Sequence, residues 1–462
     1  MTLLVQGGRV ITAESERDAD VLVEGDTVTA VEPGLAVRAD CVLDARGCYV
    51  MPGGVDPHTH LDMPWGQTST CDDFTSGTVA AACGGTTTIV DFCVQQPGQR
   101  IPAALAQWHA KLERTPPVID VGFHIAVTDP LAPHTAADLG DAVAAGVTSF
   151  KLFMAYKGSL MVDDEGLFAT MRTAARHGAL VLVHAENGGV VEVLVREALA
   201  AGHIEPRWHG LTRPPAVEAE ATARAIALAG IAGCDLFVVH VSCREALAPV
   251  AAARAAGERV WGETCPQYLL IDETALAKPG FEGAKAVFTP PPRAPEQQEH
   301  LWRALADDAL CLVSTDHCPY TFAEQKALGR ADFSRIPNGA PGIEHRLALL
   351  HEFGVRAGRF SLSRLVALTA TNPAKLFGLH PRKGTLAPGS DADIVIFDPA
   401  AEHVCSSQSE HSRVDYCLYE GMSVRGRTRT VLAGGRLVVQ DGEPVADPGR
   451  GRYVARGPVV WS

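Results

Sequence analysis

The pattern that most constrains this chain is an alternation of strand-like and helix-like runs, repeated eight times between residues 54 and 316. The runs rich in β-formers are 54–58, 86–92, 119–127, 147–155, 179–186, 235–242, 259–266 and 310–316. Most are followed by an alanine-rich segment with apolar residues at helical spacing, as in 164–177 and 244–256. Several runs are apolar on both faces, which is typical of buried parallel strands. We therefore predict an α/β chain with a (β/α)8 barrel, and a doubly wound open sheet is the alternative.

The two ends of the chain have a different character. Residues 3–6, 9–12, 21–24 and 27–31 are short strand-like pieces separated by turns, and 393–397 and 428–432 resume that style. We predict that residues 1–52 and 382–462 form one small β-sandwich domain, with the barrel of residues 53–381 inserted between them. The length of 462 residues suits such an arrangement, because a barrel needs about 250 residues.

Composition limits the classes of partner. The chain has 40 Lys and Arg against 54 Asp and Glu, a formal net charge of −14, and no run rich in Lys and Arg. We therefore expect no binding to nucleic acid or to an anionic membrane. No apolar stretch approaches the roughly 18 residues of a membrane span, and the N-terminus lacks the pattern of a signal peptide. The 12 cysteines form no CxxC pair, which indicates buried thiols in a reducing compartment, and we expect the cytoplasm.

Five residues at the ends of predicted strands indicate a metal site. His58 and His60 are two apart on the first strand, so both side chains point to the same face. An HxH pair alone is a weak signal, because core and surface histidines often produce it. His184, His240 and Asp316, however, each end a different predicted strand. Because the C-terminal ends of barrel strands open on one face, where barrel enzymes keep their active sites, we predict that these side chains converge on metal.

Lys151 lies inside the otherwise apolar strand 148–154. A lysine at a strand end can simply extend its ammonium to water. Burial beside two dications, however, would lower its pKa and favour the neutral amine. A neutral amine can add CO2 to give a carbamate, whose two oxygens can bridge two metal ions. The carbamate would leave a net charge of about +1 at the centre, against about +3 with a protonated lysine. Imidazole and oxygen ligands favour Zn2+, with Mn2+ or Fe2+ as substitutes.

Six segments resemble the D-hydantoinase and dihydropyrimidinase family of the amidohydrolase superfamily. They are PGGVDPHTHLDMP (52–64), SFKLFMAYKG (149–158), VHAENG (183–188), ETCPQY (263–268), STDHCP (314–319) and IPNG (336–339). The similarity continues to GRGRY (449–453) and so covers nearly the whole chain. The resemblance implies a metal-bearing barrel with a β-sandwich built from both termini. It also implies a homotetramer, with a homodimer as the alternative.

The resemblance also implies roles for single residues. The more buried of two divalent ions would be held by His58, His60, Lys151 and Asp316, and the more exposed one by carbamylated Lys151, His184 and His240. Tyr156 would contact the ring carbonyl of a cyclic amide, and the backbone of Asn338 would bind its imide. Thr289 stands where the family usually has serine, a change of little consequence if the contact is through the backbone. Asp316 would serve as ligand and as base, moving a proton from the attacking water to the ring nitrogen. The products would be N-carbamoyl amino acids.

The substrate and the rival activities depend on the loops after the first and fourth strands. We predict that an apolar and aromatic wall comes from these loops, with Met63 and Trp65 from the first and Leu152, Phe153 and Tyr156 from the second. Such a wall favours a 5-substituted hydantoin over the ureido group of allantoin. Dihydroorotases resemble one another in an arginine two residues after the second histidine, whereas this chain has Asp62. All six ligand positions are intact, which argues against a non-catalytic dihydropyrimidinase-related assembly protein.

Overall fold

The computed structural model describes residues 1–461, which form three β-sheets and a surrounding layer of helices. The strands are β1 (Thr2–Ile11), β2 (Glu16–Glu24), β3 (Thr27–Glu32), β4 (Cys41–Asp44), β5 (Tyr49–Pro52), β6 (Gly54–Thr59), β7 (Pro64–Trp65), β8 (Thr68–Ser69), β9 (Thr86–Val94), β10 (Asp120–Ala126), β11 (Ser149–Phe153), β12 (Leu180–His184), β13 (Leu236–Val238), β14 (Val260–Thr264), β15 (Leu312–Val313), β16 (Ile394–Val404), β17 (Ser423–Ala433), β18 (Arg436–Gln440) and β19 (Glu443–Pro444).

The α-helices are α1 (Phe74–Cys83), α2 (Ile101–Arg114), α3 (Thr135–Ala144), α4 (Asp164–His177), α5 (Gly188–Ala200), α6 (Arg207–Leu211), α7 (Pro215–Ala232), α8 (Arg244–Ala255), α9 (Pro266–Leu270), α10 (Glu296–Ala306), α11 (Arg346–Leu350), α12 (Leu362–Val366) and α13 (Asn372–Leu376). Short 3-10 helices span Glu273–Ala277, Glu282–Ala286, Lys326–Gly329 and Phe333–Arg335, and π-helical turns span His351–Arg356 and Ala367–Thr371.

The barrel is an eight-stranded parallel sheet whose strand order follows the chain, from β6 through β9–β14 to β15. All eight predicted strands are present. Chain order in the sheet excludes the doubly wound alternative, in which the strand order reverses at a switch point. Thr59 bridges His317 in parallel, and the N–H of His60 donates to the carbonyl of His317 at 2.9 Å, so the two ends of the sheet meet. The predicted barrel is therefore confirmed.

One buried arginine joins the first and last strands of the barrel. Arg346, at the start of α11, donates from Nη1 to the carbonyls of Val55 in β6 (3.0 Å) and Val313 in β15 (3.1 Å). Its Nη2 donates to Oγ1 of Thr86 in β9 at 3.0 Å. The strands β6 and β15 are not paired with each other along these residues. One guanidinium therefore satisfies backbone carbonyls that would otherwise be buried without hydrogen bonds.

The chain ends supply a nine-stranded mixed sheet. Its order is β19-β18-β17-β16-β5-β1-β2-β3, with β4 paired to β1, and the N- and C-terminal parts meet where β5 and β16 run antiparallel. The joint domain built from both termini is thus present in the fold. The segments 3–6 and 9–12, predicted as two strands, form the single strand β1. A register shift between Val5 and Gly8 allows β1 to pair with β2 on both sides of this irregularity. Gly7 there has a φ of 78°, which glycine adopts without steric cost.

A buried ionic cluster connects the barrel with the terminal sheet. Nζ of Lys383 lies 2.8 Å from Asp120 in β10, 2.8 Å from Asp393 beside β16 and 3.0 Å from Asp391. Burial alone would lower the pKa of Lys383, but the three carboxylates outweigh it and raise that pKa well above its usual value. The lysine is therefore charged, and its removal would leave buried carboxylates without their main counterion.

Two further sequence predictions concern the state of the cysteines and membrane-spanning segments. All 12 cysteines lie in the described residues and all are free thiols, ten of them buried. No helix between residues 1 and 461 is both long enough and apolar enough to cross a bilayer.

Candidate active site

A single pocket at the C-terminal ends of the barrel strands collects every residue proposed for the site except Leu152. The strands place His58 in β6, Lys151 in β11 and His184 at the end of β12. His240 and Asp316 lie just beyond β13 and β15. The pocket is lined by His58, His60, Met63, Trp65, Phe153, Tyr156, Lys151, His184, His240, Thr289, Asp316 and Asn338, together with Phe92, Val94, Leu160, Cys318 and Gly339, which the sequence did not single out.

Leu152 is the exception. It is fully buried in the hydrophobic core and does not line the pocket. Successive side chains of a strand point to opposite faces, so Lys151 and Phe153 face the pocket and Leu152 faces the helices. The expectation that Leu152 contributes to the substrate wall is therefore wrong.

Three of the side chains converge as ligands of one ion would. Nε2 of His58 and Nε2 of His60 each lie 3.2 Å from Oδ1 of Asp316. In a tetrahedral zinc site, bonds of 2.0–2.1 Å separate neighbouring nitrogen and oxygen ligands by about 3.4 Å. Burial lowers the pKa of His58 well below its usual value, so this imidazole is neutral and has a lone pair to offer. The three atoms therefore fit a common metal ion with little movement.

A second pair of nitrogens faces the same pocket. Nδ1 of His184 lies 3.0 Å from Nε2 of His240, and the other nitrogen of His184 is 2.9 Å from Oε2 of Glu186. Burial lowers the pKa of His240 well below its usual value. The rings of His240 and His58 have centroids 5.4 Å apart, so the pair adjoins the first cluster. Two imidazole nitrogens that face each other at this distance are placed as two ligands of one cation would be.

Lys151 is enclosed beside these groups. Its side chain is fully buried, and its Nζ lies 5.1 Å and 5.2 Å from the ring centroids of Phe92 and Phe153. No carboxylate of residues 1–461 forms an ion pair with it within 4.0 Å. Burial lowers the pKa of Lys151 to about 7, although Asp316 and Glu263 oppose the shift. An amine in this setting exists in its neutral, nucleophilic form to a large extent at neutral pH.

The backbone is unusual at three residues of the pocket. Tyr156, His240 and Asp316 have φ values of 67°, 39° and 47°. Non-glycine residues rarely occupy this left-handed region, and such conformations concentrate at functional sites, where the surrounding structure holds them. Here each one redirects a side chain at the point where a strand gives way to its loop.

Two buried glutamates support the histidines, and the sequence reasoning gave neither of them a role. Oε1 of Glu263 in β14 lies 2.5 Å from Nδ1 of His58, and Glu186 contacts His184 as described. A carboxylate accepts the hydrogen of one ring nitrogen and so leaves the other free for a metal. Burial raises the pKa of Glu263 to about 8, and nearby dications would oppose that shift. The available signal was an acidic residue next to a buried strand, inside β14 for Glu263 and two residues beyond β12 for Glu186.

The remaining wall of the pocket consists of aromatic side chains on one side and of main-chain atoms around Asn338 on the other. The ring of Trp65 packs edge-on against Tyr156 at 5.2 Å, and Phe153 packs against Tyr156 at 5.9 Å. Enclosure raises the pKa of Tyr156, although hydrogen bonds with Thr289 and Asn338 oppose the shift, so the phenol keeps its proton.

A fully buried lysine holds the segment that contains Asn338. Nζ of Lys326 donates to the carbonyls of Val287, Pro337 and Gly339 at 2.7 Å each. All three of its hydrogens are therefore engaged, and the backbone on both sides of Asn338 is fixed against the barrel.

No arginine is among the lining residues of the described pocket. Asp62 stands at the position of the dihydroorotase arginine, and its Oδ2 is 2.5 Å from Nη2 of Arg114. The pocket therefore lacks an arginine of the kind that the dihydroorotase pattern requires for a substrate carboxylate.

Comparison with known proteins agrees with this geometry. The model of the amidohydrolase family matches residues 49–438. A D-hydantoinase of Geobacillus stearothermophilus is 49% identical over 457 residues, 99% of this chain and 97% of the relative. A D-hydantoinase of Streptomyces coelicolor is 50% identical over 458 residues, 98% and 97% of the two chains. The crystal structure of dihydropyrimidinase from Brevibacillus agri NCHU1002 is 50% identical, has a TM-score of 0.98 and covers 100% of both chains. A match of this extent shows that the chain belongs to the amidohydrolase family, in its D-hydantoinase and dihydropyrimidinase branch.

Proposed function

We propose that this protein hydrolyses the cyclic amide bond of 5-substituted hydantoins and dihydropyrimidines to N-carbamoyl amino acids. The observation that carries the proposal is the convergence of His58, His60 and Asp316 at the floor of a pocket with an apolar and aromatic wall. The similar proteins are named D-hydantoinases and a dihydropyrimidinase, which supports the same chemistry here.

We propose two divalent ions per subunit. One would be held by His58, His60 and Asp316, and the other by His184 and His240, because these are the atoms that face one another across about 3 Å. Lys151, carbamylated by CO2, would bridge the two ions. Its burial among ligands and its depressed pKa support this role. Nitrogen and oxygen donors favour Zn2+, with Mn2+ or Fe2+ as alternatives.

The bound metals would supply a water that ionises near neutral pH and a Lewis acid for the ring carbonyl. The protonated phenol of Tyr156 would donate a hydrogen bond to the carbonyl oxygen as negative charge develops on it. Asp316 would take the proton of the attacking water and return it to the ring nitrogen as the C–N bond breaks. Burial would raise the pKa of Asp316, but His58, His60 and Lys151 outweigh it and lower that pKa, so its carboxylate form is available.

The pocket wall supports a preference for substituted rings. Met63, Trp65, Phe153 and Leu160 offer apolar surface to a substituent, while Thr289 and Asn338 offer polar contacts on another side. Each methylene buried against such a wall is worth roughly 0.8 kcal/mol. Unsubstituted dihydrouracil gains none of this, so 5-substituted hydantoins should have the higher kcat/KM.

We also infer properties of the whole protein that the site leaves open. The family resemblance supports a homotetramer, with a homodimer as the alternative, and light scattering on the purified protein would measure this. Twelve free thiols support a reducing compartment such as the cytoplasm. The domain limits 1–52, 53–381 and 382–462 stay a prediction.

The experiment that tests the function compares kcat/KM for 5-phenylhydantoin, dihydrouracil and allantoin on one preparation whose metal content is measured. About two metal equivalents and the highest value for phenylhydantoin support the proposal. A metal-loaded protein that hydrolyses allantoin best would make it an allantoinase. A protein that retains metal but cleaves none of the three would refute the proposed activity.

A further inference from the structure

The C-terminal tail, residues 449–461, lies across the base of the barrel. The carbonyl of Val121, near the start of β10, accepts from the N–H of Val454 at 2.9 Å. The N–H of Arg456 donates to the carbonyl of Gly146, in the turn before β11, also at 2.9 Å. The tail is therefore held by backbone hydrogen bonds at the ends of the strands opposite the pocket.

Two glycines make room for the C-terminal tail. A Cβ atom at Gly378 would lie 1.9 Å from the carbonyl oxygen of Gly457, and a Cβ atom at Gly146 would lie 2.6 Å from Cβ of Ala455. Both glycines also have positive φ values, 67° for Gly378 and 89° for Gly146. A larger residue at either position would displace the tail, so its close docking depends on these glycines.

One side chain of the tail enters the barrel. Arg456 is buried, and its Nη2 donates to Oγ of Ser149 at 2.7 Å and to the carbonyl of Phe123. Ser149 begins β11 and lies two residues before Lys151, so these two side chains point to the same face of the strand. A guanidinium has donors only. The oxygen of Ser149 therefore accepts this hydrogen bond, and its own hydroxyl hydrogen is left for another partner.

The partner of that hydroxyl is His124 in β10, which is fully buried. Its Nδ1 lies 2.6 Å from Oγ of Ser149, and its Nε2 lies 2.9 Å from the carbonyl oxygen of Pro57. A carbonyl can only accept, so Nε2 carries the hydrogen. Burial, together with the charge of Arg456, lowers the pKa of His124 well below its usual value, so the ring is neutral. Nδ1 is therefore free to accept the hydrogen of Ser149.

These contacts form one hydrogen-bond series from the tail to the first ligand-bearing strand. Arg456 donates to Ser149, which donates to His124. His124 in turn donates to the carbonyl of Pro57, the residue before His58. The direction of every link is fixed, because a guanidinium stands at one end and a carbonyl at the other. Since that carbonyl shares a peptide plane with the N–H of His58, the series restrains the orientation of this plane.

The same peptide is also held from its other side. The N–H of His58 donates to Oδ1 of Asp56 at 3.2 Å, and the ring of His124 stacks on Phe92 with centroids 4.7 Å apart. Phe92 packs in turn against the rings of His58 and His60, at 4.9 Å and 5.0 Å. The hydrogen-bond series therefore ends at the backbone and the packing of two proposed metal ligands.

We propose that His124 is a positioning residue for the metal site, and that Ser149 and Arg456 hold it in the tautomer that donates from Nε2. This inference rests on the proposed binding of metal by His58. His124 does not line the pocket, so it acts through the peptide that joins Pro57 to His58. Without the hydrogen bond that peptide can rotate, and only molecules with His58 in place bind metal. The apparent Kd for metal then rises by the inverse of that fraction.

Two substitutions of His124 separate its hydrogen bond from the packing of its ring. Glutamine can place an amide nitrogen near the position of Nε2 and still donate to Pro57, but it loses the stacking on Phe92. Phenylalanine keeps a ring against Phe92 but has no donor. In competition with a chromophoric chelator, we expect His124→Gln to bind zinc within about twofold of wild type and His124→Phe to bind it about three- to tenfold more weakly. The reverse order, or equal affinities in the two variants, would overturn the proposal.

Substitutions at the other end of the series keep the proposal testable if His124→Phe does not fold. Arg456→Gln should weaken zinc binding by about two- to fivefold, because the hydroxyl of Ser149 then loses its fixed orientation. The matched control is Arg452→Gln, in the same tail, whose side chain is 63% exposed and which should leave zinc affinity unchanged. Because one series connects them, Ser149→Ala and Arg456→Gln together should weaken binding little more than the stronger single substitution. A combined loss equal to the product of the two single losses would contradict the series.

His58→Ala distinguishes failure of this inference from failure of the proposed function. We expect this variant to lose zinc, because it removes a proposed ligand outright. If it binds zinc as tightly as wild type, the proposed metal site is wrong, and the positioning role is refuted with it. If His58→Ala loses zinc while His124→Phe keeps the affinity of wild type, the metal site stands and only the positioning role is refuted.

Discussion

Substitution of Glu263 by glutamine tests how the protein prepares a histidine for metal. The glutamine side chain would keep the shape and one oxygen acceptor, but it would remove the negative charge 2.5 Å from Nδ1 of His58. Hydrogen bonds to charged groups contribute about 1.5–3 kcal/mol, against about 0.5–1.5 kcal/mol for neutral ones, so the loss is about 1–1.5 kcal/mol. Since 1.4 kcal/mol is tenfold in an equilibrium constant, we expect zinc to bind about tenfold or more weakly. Carboxylates that support metal-bound histidines have effects of about 10–100-fold.

The assay is competition for zinc between the protein and a chromophoric chelator, with kcat measured after full reloading. The matched control is Asp138→Asn, which makes the same carboxylate-to-amide change at a buried position whose partner is Arg100. We expect Glu263→Gln to lose affinity and to recover most of its kcat when zinc is in excess. Zinc affinity within twofold of wild type would show that Glu263 only fills space, and the polarisation argument would be refuted.

Four further substitutions test the site and the fold. Lys151→Ala should lose metal and activity, with partial rescue by short carboxylic acids, whereas exposed Lys157→Ala should lose neither; an active, metal-loaded Lys151→Ala protein would contradict the bridge. Asp316→Asn should lower kcat by at least about a hundredfold after metal reloading, the low end for general acid–base catalysis, and a loss of only a few-fold would remove it from proton transfer. Trp65→Ala should lower kcat/KM for phenylhydantoin by about tenfold and for dihydrouracil by less than about threefold, because a phenyl ring buries far more apolar area; equal losses would mean that Trp65 only packs. Lys383→Met should lower the free energy of unfolding by about 3–5 kcal/mol in chemical denaturation, because the buried carboxylates of Asp120 and Asp393 lose their shared cation, and a change below about 1 kcal/mol would show that this cluster contributes little.

Sequence patterns with a short period were sufficient to predict the barrel and to bring the proposed ligands to one pocket. His58 and His60 are two apart on a strand, so strand geometry alone places them on one face. His184, His240 and Asp316 lie at or just beyond the ends of their own strands, and a parallel barrel brings all such ends to one rim. The same alternation, applied to 151–153, would have shown that Leu152 points away from the pocket. Resemblance to a family added Tyr156, Thr289 and Asn338, for which local pattern offers no signal.

Contacts between residues distant in the chain were decided by the tertiary structure. Glu263 is 205 positions from His58, and Lys383 is 263 positions from Asp120. Each of these residues looks locally like an ordinary charge in or beside a strand, because nothing nearby reveals what lies opposite it across the barrel. The sequence by itself thus determined that the proposed ligands share one face of the barrel, since periodicity along one strand is a local property. The partners that set their charge, orientation and support depend on how strands and loops pack, and only the folded chain brings those together.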